Sequence, residues 1–500
     1  MQNIEMNPNP LVDFLGKSAS EFTLNDIIKY IESEKIEMVN FRYVADDGRL
    51  KTLNFVINDK KYLETILSCG ERVDGSNIFP YIEAGSSDLY VVPRYSTAFI
   101  NPISEIPAID FLCSYFNKNG EPLADAPEYI LRKAHHNFTE QTGFTFEAMG
   151  ELEYYVISDE SPFFPATDQH GYHESYPFNK MEAFRMDAMS AISRAGCLIK
   201  YGHSEVGNFT LNGKIYEQNE IEFLPTRLED AADQLVIAKW ILRALAYQYG
   251  VTVTFAPKIT TGKAGSGLHI HTRLMKNGKS AMIENGSLSD AAKKSIAGFL
   301  YLAPSLTAFG NTNPASYFRL VPNQEAPTKI CWGDRNRSVL VRVPLGWCGN
   351  VENMIKIANP SEKNVSIEHA DRQTVEFRCP DGSADIYLLL AGLTVAARHG
   401  MEMENALEYA KQTYVDVNIF HKENLSLAEK LNQLPSSCAE SAEMLLKQKH
   451  IYTKYNIFTE NIINGIANKL LSYNDKDLIK RMGNDNNAIL ELVNQYFYCG

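Results

Sequence analysis

Four pairs of chemically capable side chains recur at a spacing of two residues: Glu151 and Glu153, Glu220 and Glu222, His269 and His271, Glu376 and Arg378. On a strand, the two members of each pair point to the same face. One such pair can arise by chance on a solvent-facing strand. Four pairs, one of them preceded by Gly265-Ser266-Gly267, point to a shared site. Carboxylates gathered on one face repel each other, so they protonate or collect cations. Mostly oxygen donors with a single imidazole favour Mg²⁺ or Mn²⁺ over zinc. A second cluster, Asp334-Arg335-Asn336-Arg337-Ser338 followed by Arg342, sets guanidinium groups beside a strand. Such groups stabilise a transferring phosphoryl group, although the same arginines could also form surface ion pairs. Metal carboxylates and arginines together point to phosphoryl transfer. Glycines at 265 and 267 would let a ligand come close to the backbone.

These residues must be positioned by strands. TFEAMGELEYYVI, YEQNEIEFL and SGLHIHTRL read as three, and segments 338–343 and 374–378 as two more. Between the second and third, EDAADQLVIAKWILRALAYQYG opens with acids, runs apolar at helical spacing and stops at Gly250, which predicts a helix. Residues 127–141 also read as helical. Upstream, Thr23 caps a helix over 23–35, and Asp47-Gly48 joins two alternating runs into a hairpin. The Pro93–Pro107 stretch is a plausible boundary. The expected division is a small α+β domain over 15–110 and a large antiparallel α+β domain over 111–500, mostly helical after residue 386.

A length of 500 residues suits more than one domain. The net charge of −13 argues against nucleic-acid binding. The N-terminal segment lacks the basic and apolar regions of a signal peptide, and no stretch approaches the ~20 apolar residues of a membrane span. The eight cysteines are scattered without a C-x-x-C pair, which suits idle thiols in a reducing cytosol. The expected location is cytoplasmic, with no nucleic-acid or membrane partner.

At the site residues the chain resembles the glutamine synthetase family. The matching segments fall in family order: VDGSNI with SSDL, MGELEYYV, GHSEV with QNEIEF, FAPK, GSGLHIH, NPASYFRLVPNQEAP, RNRS with VRVP, and VEFRCPDGSADIYL. The resemblance implies an α+β chain with an N-terminal β-grasp domain and a large catalytic domain built on a curved antiparallel sheet flanked by helices. It implies ATP-dependent ligation of ammonia to glutamate through γ-glutamyl phosphate. It also implies a homo-oligomer of two stacked hexameric rings, with sites between subunits.

Carried over motif by motif, one metal site would be Glu153, Glu205 and Glu220, and the other Glu151, His269 and Glu376. Arg319, Arg378 and the backbone at Gly265 would hold glutamate. Arg337 and Arg342 would face the ATP phosphates, with His271 nearby. Glu325 would be the flap carboxylate, and Asp74 with Asp88 the ammonium segment lent by a neighbouring subunit. The C-terminal LELVNQYFYC could lock two rings together or pack as an ordinary helix. Departures from the family pattern are Ala264 for an asparagine, Arg273 for a serine, Lys200 for a glutamate and Asn77 for a serine. A longer stretch also separates Arg342 from Glu376. Phe420 lies about where some relatives carry an adenylylated tyrosine, so that control is expected to be absent. Two other readings stand beside the main one: a γ-glutamyl ligase for an organic amine or polyamine, and a catalytically silent relative.

Overall fold

Turn and cap chemistry decide where the first sheet begins. In this computed structural model, which describes residues 4–82, 87–321, 326–346, 351–362, 372–483 and 485–500, Thr23 accepts a hydrogen bond from the Asp26 amide. Asp26 closes the capping box of the helix Leu24–Glu34. Gly48, at φ 76°, supplies the left-handed turn that joins β1 (Met38–Val44) to β2 (Leu50–Val56). β3 (Glu71–Asp74), β4 (Asp88–Pro93), β5 (Phe99–Ile100) and β6 (Ala108–Phe116) complete a sheet of order β2-β1-β6-β4-β3, with β5 beside β6. The Pro93–Pro107 stretch does not end this sheet, because β6 lies beyond it and pairs parallel with β1.

The second sheet carries the reactive pairs. Its strands are β7 (Thr145–Asp159), β8 (Ile199–Leu211), β9 (Lys214–Phe223), β10 (Thr226–Arg227), β11 (Thr252–Thr254), β12 (Leu268–Lys276) and β13 (Lys279–Ser280). A separate hairpin, β14 (Ile283–Glu284) with β15 (Ser287–Leu288), intervenes before β16 (Trp332–Asp334), β17 (Val341–Val343) and β18 (Val375–Phe377). The main path is β16-β17-β18-β12-β7-β9-β8. The expected antiparallel sheet is in fact mixed, because β16 and β17 run parallel. Residues 338–340, expected as strand, belong to the loop that makes this reversal. Arg335 takes φ 55°. The Asn336 side chain donates to the Val417 carbonyl and accepts from the Ser338 amide. The helix predicted before Gly250 spans Leu228–Gln248, and Gly250 has φ 68°.

Behind the sheet, the helices Leu228–Gln248, Asp290–Gly310 and Ile386–Glu402 contribute to one large apolar core. Two of them meet at a glycine contact. A Cβ on Gly298 would stand 1.9 Å from the Ala396 carbonyl oxygen, and one on Gly400 2.0 Å from that of Lys294. The two sheets are joined by charge. The Arg42 guanidinium pairs with fully buried Asp110 and lies 3.7 Å over the Trp240 ring. Arg94 donates twice to Asp233, at 2.7 and 2.9 Å, and Tyr387 donates to the same carboxylate. The helix Asn486–Gln495 packs Ile489 and Val493 against Ala315 and Phe318 of its own chain. Among the described residues the cysteines are unpaired thiols, and no helix is long and apolar enough to cross a membrane.

The glycine contact yields a stability prediction. Gly298→Ala forces the two helices apart and should cost about 3 kcal/mol, the upper end for overpacking. Gly465→Ala, inside the helix Glu460–Ser472 with nothing closer than 3.9 Å, should gain about 0.5–1 kcal/mol by relieving a helical glycine. Denaturant midpoints of the two variants, moving in opposite directions from the parent, check both.

Candidate active site

Register, more than sequence distance, assembles the site. Along β7, Glu151 sits opposite His269 of β12 and Glu222 of β9, while Glu153 sits opposite Glu220. His271 faces Glu376 of β18, which faces Arg342 of β17, and His203 of β8 faces Glu220. All four predicted pairs therefore line one cleft of about 1590 Å³, together with Glu205, Gly265, Arg319, Arg337 and Arg342. Asp74 and Asp88 do not line it. They face each other across β3 and β4 of the first sheet, where Asp74 accepts hydrogen bonds from the Ser76 amide and hydroxyl and from Asn77. Those bonds, Ser76 foremost, hold its carboxyl below the usual range. Glu325 lies outside the described residues.

The carboxylates are compensated unequally. Glu151 accepts from His269 Nδ1 at 2.9 Å and from His271 Nε2 at 2.8 Å. Burial pushes its carboxyl up, but the two imidazoles, His271 foremost, override this and hold it well below the usual range. Burial opposes the charge on His271 as well, yet Glu151 raises that imidazole above its ordinary value. Glu376 receives Arg342 Nη1 at 2.8 Å and Arg378 Nε at 2.9 Å. It is held down despite burial, chiefly by Arg378. Glu153 accepts from the Gly267 amide at 2.7 Å and from Gln218 at 3.0 Å. Glu222 is taken by Lys200 at 2.5 Å and by the Tyr201 hydroxyl. Glu220 is left crowded. Burial, then Glu151, Glu153, Glu205 and Glu222, push its carboxyl well above the usual range.

The donor set fits divalent cations. Glu151, Glu220 and His269 offer ligand atoms within 4.8 Å of one another, as do Glu151, His271 and Glu376, and His203, Glu205 and Glu220. The dominance of oxygen donors suits hard ions. In the same cleft, Arg319 donates to the Cys379 carbonyl at 2.8 Å, and Arg378 to the Arg337 carbonyl. Arg342 Nε is buried without a hydrogen-bond partner, which suits an anionic ligand. Gly265 and Gly267 have a reason beyond ligand approach. A Cβ on Gly265 would collide with the Pro257 carbonyl oxygen and crowd Arg319, and one on Gly267 would collide with the Arg319 guanidinium and with His269. Ala264 is held by its backbone, its amide donating to Gln169 and its carbonyl accepting from Tyr155.

Fold and site define an α+β enzyme whose curled sheet gathers a carboxylate–imidazole cluster with adjoining arginines, two of them paired to Glu376. The chain matches the family model for the glutamine synthetase catalytic domain over residues 124–469 and that for the glutamine synthetase β-grasp domain over residues 35–118. A glutamine synthetase of Mycolicibacterium smegmatis is 29% identical over 484 residues, covering 89% of this chain and 94% of its own. That of Aquifex aeolicus is 28% identical over 473 residues, covering 89% and 93%. The cryoEM structure of the Plasmodium falciparum glutamine synthetase superposes with a TM-score of 0.74 at 21% identity, covering 93% of this chain and 98% of that one. The chain belongs to the glutamine synthetase family, whose enzymes use ATP and divalent metal ions.

Charge crowding gives Glu220→Gln two opposite effects. In chelator it should stabilise the fold, because one repelling carboxylate is removed. It should also abolish most of the stabilisation that saturating Mn²⁺ or Mg²⁺ gives the parent, which is about 2.7 kcal/mol at a hundred times Kd. Thermal unfolding of both proteins with and without metal is the check. A variant stabilised by metal as strongly as the parent would remove Glu220 from the ligand set.

Proposed function

We propose that the protein ligates ammonia to the side-chain carboxylate of glutamate, consuming ATP and releasing glutamine, ADP and phosphate. The observation that carries this reading is the gathering of carboxylates, imidazoles and arginines in one cleft, in a chain of this family. In this reading Glu153, Glu205 and Glu220 hold one divalent cation, and Glu151, His269 and Glu376 a second. Both are Mg²⁺ or Mn²⁺. When bound, they supply positive charge against the phosphates and the developing charge of the transferred group.

Arg319, Arg378 and the Gly265 backbone orient glutamate. Arg337 and Arg342, with His271 nearby, hold the ATP phosphates in line with the acceptor carboxylate. A carboxylate oxygen bonds to the terminal phosphorus as the bond to ADP breaks, giving γ-glutamyl phosphate. Asp74 of a neighbouring subunit binds ammonium and takes up a proton. The freed nitrogen attacks the acyl carbon, and phosphate leaves. Glu325 covers the intermediate from water and accepts the second proton. The proposed assembly is two stacked hexameric rings in the cytoplasm, each subunit divided into a β-grasp unit through β6 and a catalytic unit beyond it.

Phosphate release with ATP, Mg²⁺ and glutamate, with ammonium or a panel of amines added and products read by mass spectrometry, tests the reaction. Glutamine formed with ammonium is the expected product. A γ-glutamyl amine formed in its place would move the assignment to an organic-amine ligase, and no release from a well-folded oligomer would indicate a silent relative. The shared site has its own test. Asp74→Ala should raise the ammonia requirement at least tenfold, and Glu325→Ala should abolish amide formation while sparing ATP binding. Mixed and reassembled, the two should recover part of the activity. Verified mixed rings without recovery would place the whole site in one subunit.

A further inference from the structure

The ligand sets carried over in sequence include one imidazole, His269, whereas the structure places His271 and His203 in metal-capable clusters as well. We propose that His203 is a direct nitrogen ligand of the cation held by Glu205 and Glu220. Its nitrogen shifts that position's preference from Mg²⁺ toward first-row transition ions such as Mn²⁺. This rests on the reading of the cleft as a divalent-metal site.

His203, Glu205 and Glu220 each offer a ligand atom within 4.8 Å of the others. The two ring nitrogens of His203 have different surroundings. Nδ1 lies 3.0 Å from the Ser204 carbonyl oxygen, and Nε2 lies 3.1 Å from Glu220 Oε1. A carbonyl oxygen only accepts, so the hydrogen bond requires the proton on Nδ1. In the neutral ring this leaves the Nε2 lone pair facing a carboxylate oxygen. At that distance the two atoms must share either a proton or a cation. Glu205 Oε1 lies 3.8 Å from Nδ1, so the free nitrogen faces Glu220. A ring N–H committed to a backbone carbonyl, with the other nitrogen beside a carboxylate, is also the support that metal-ligating histidines commonly have.

The ring is held from other sides too. The rings of His173, Tyr172 and Tyr201 lie 4.5, 5.6 and 5.8 Å from it, centroid to centroid. The His203 side chain is 13% exposed. His203 and Glu205 are two residues apart on β8, and the register of that strand slips between Ser204 and Asn208, so it is the observed cluster that joins them. Mg²⁺ prefers oxygen donors and keeps its water, while imidazole suits d-block ions.

The test uses the full chain in its native assembly, stripped by chelator. Free-ion electron paramagnetic resonance counts bound Mn²⁺, competition reports Mg²⁺, and pulsed resonance on bound Mn²⁺ detects nitrogen ligands. The parent should show nitrogen coupling at two classes of site, one from His269 or His271 and one from His203. His203→Gln should lose one coupling and weaken Mn²⁺ at that site at least about tenfold, the least that loss of a supporting partner costs, with Mg²⁺ less affected. His203→Asp should restore binding without the nitrogen signal and shift preference toward Mg²⁺. Nitrogen coupling at only one class in the parent, or both couplings surviving in His203→Gln, would overturn the proposal. So would an equal loss of both ions. A parent that binds no Mn²⁺ would overturn the metal reading of the whole cleft.

Discussion

Like charge held close on a rigid surface is the constraint around which this molecule is arranged. Two carboxylates 4 Å apart repel by about 4 kcal/mol at an effective dielectric near 20, and the cleft gathers six: Glu151, Glu153, Glu205, Glu220, Glu222 and Glu376. The protein neutralises them one at a time. Imidazoles serve Glu151, arginines serve Glu376, Lys200 and Tyr201 serve Glu222, and an amide with Gln218 serves Glu153. The remaining imbalance is concentrated at Glu220, beside Glu205 and His203. The cluster thus has a built-in location for added positive charge, and Arg342, whose Nε is buried without a hydrogen-bond partner, leaves capacity for added negative charge.

A face so unfavourable in isolation must be held by what lies behind it. The strands are kept in register by a core of close-packed helices, two of which meet without intervening side chains at Gly298 and Gly400. Backbone contact of this kind leaves little room for the sheet to relax. The carboxylates therefore stay close because the packing behind them is favourable. On the open side, Arg319 lies against the Gly265 and Gly267 backbone, so the glycines of the GSG segment serve the placement of a guanidinium as much as the approach of a ligand.

Strand parity made much of the site legible in sequence. A spacing of two residues needs no knowledge of neighbouring strands, and all four pairs named on that basis line the cleft. The clustering of guanidinium groups after Asp334 picked out Arg337 and Arg342, and the resemblance to a known family added Glu205 and Arg319, all outside those pairs. Register stayed hidden, because no local pattern says that Glu151 will face Glu222 rather than Glu220. Lys200 reads in sequence as a lost acidic contact, and only the pairing of β8 with β9 shows it beside Glu222. The parallel run of β16 and β17 was equally hidden, since it depends on Asn336 reaching the carbonyls of Val415 and Val417, far along the chain. His203 carries the parity signal, but it stands in a strand whose register slips after Ser204, which no spacing rule anticipates.

The links between the two sheets have a mechanical consequence. Arg42 with Asp110 over Trp240, and Arg94 with Asp233 and Tyr387, clamp the first sheet to the helices that carry the second. Val44, Phe99 and Leu112 of the first sheet enter the large core. The β3–β4 edge that carries Asp74 is thereby tied to the cleft-bearing half of the chain through a shared apolar core and two guanidinium anchors, so a change in either anchor is felt on both sides of the molecule.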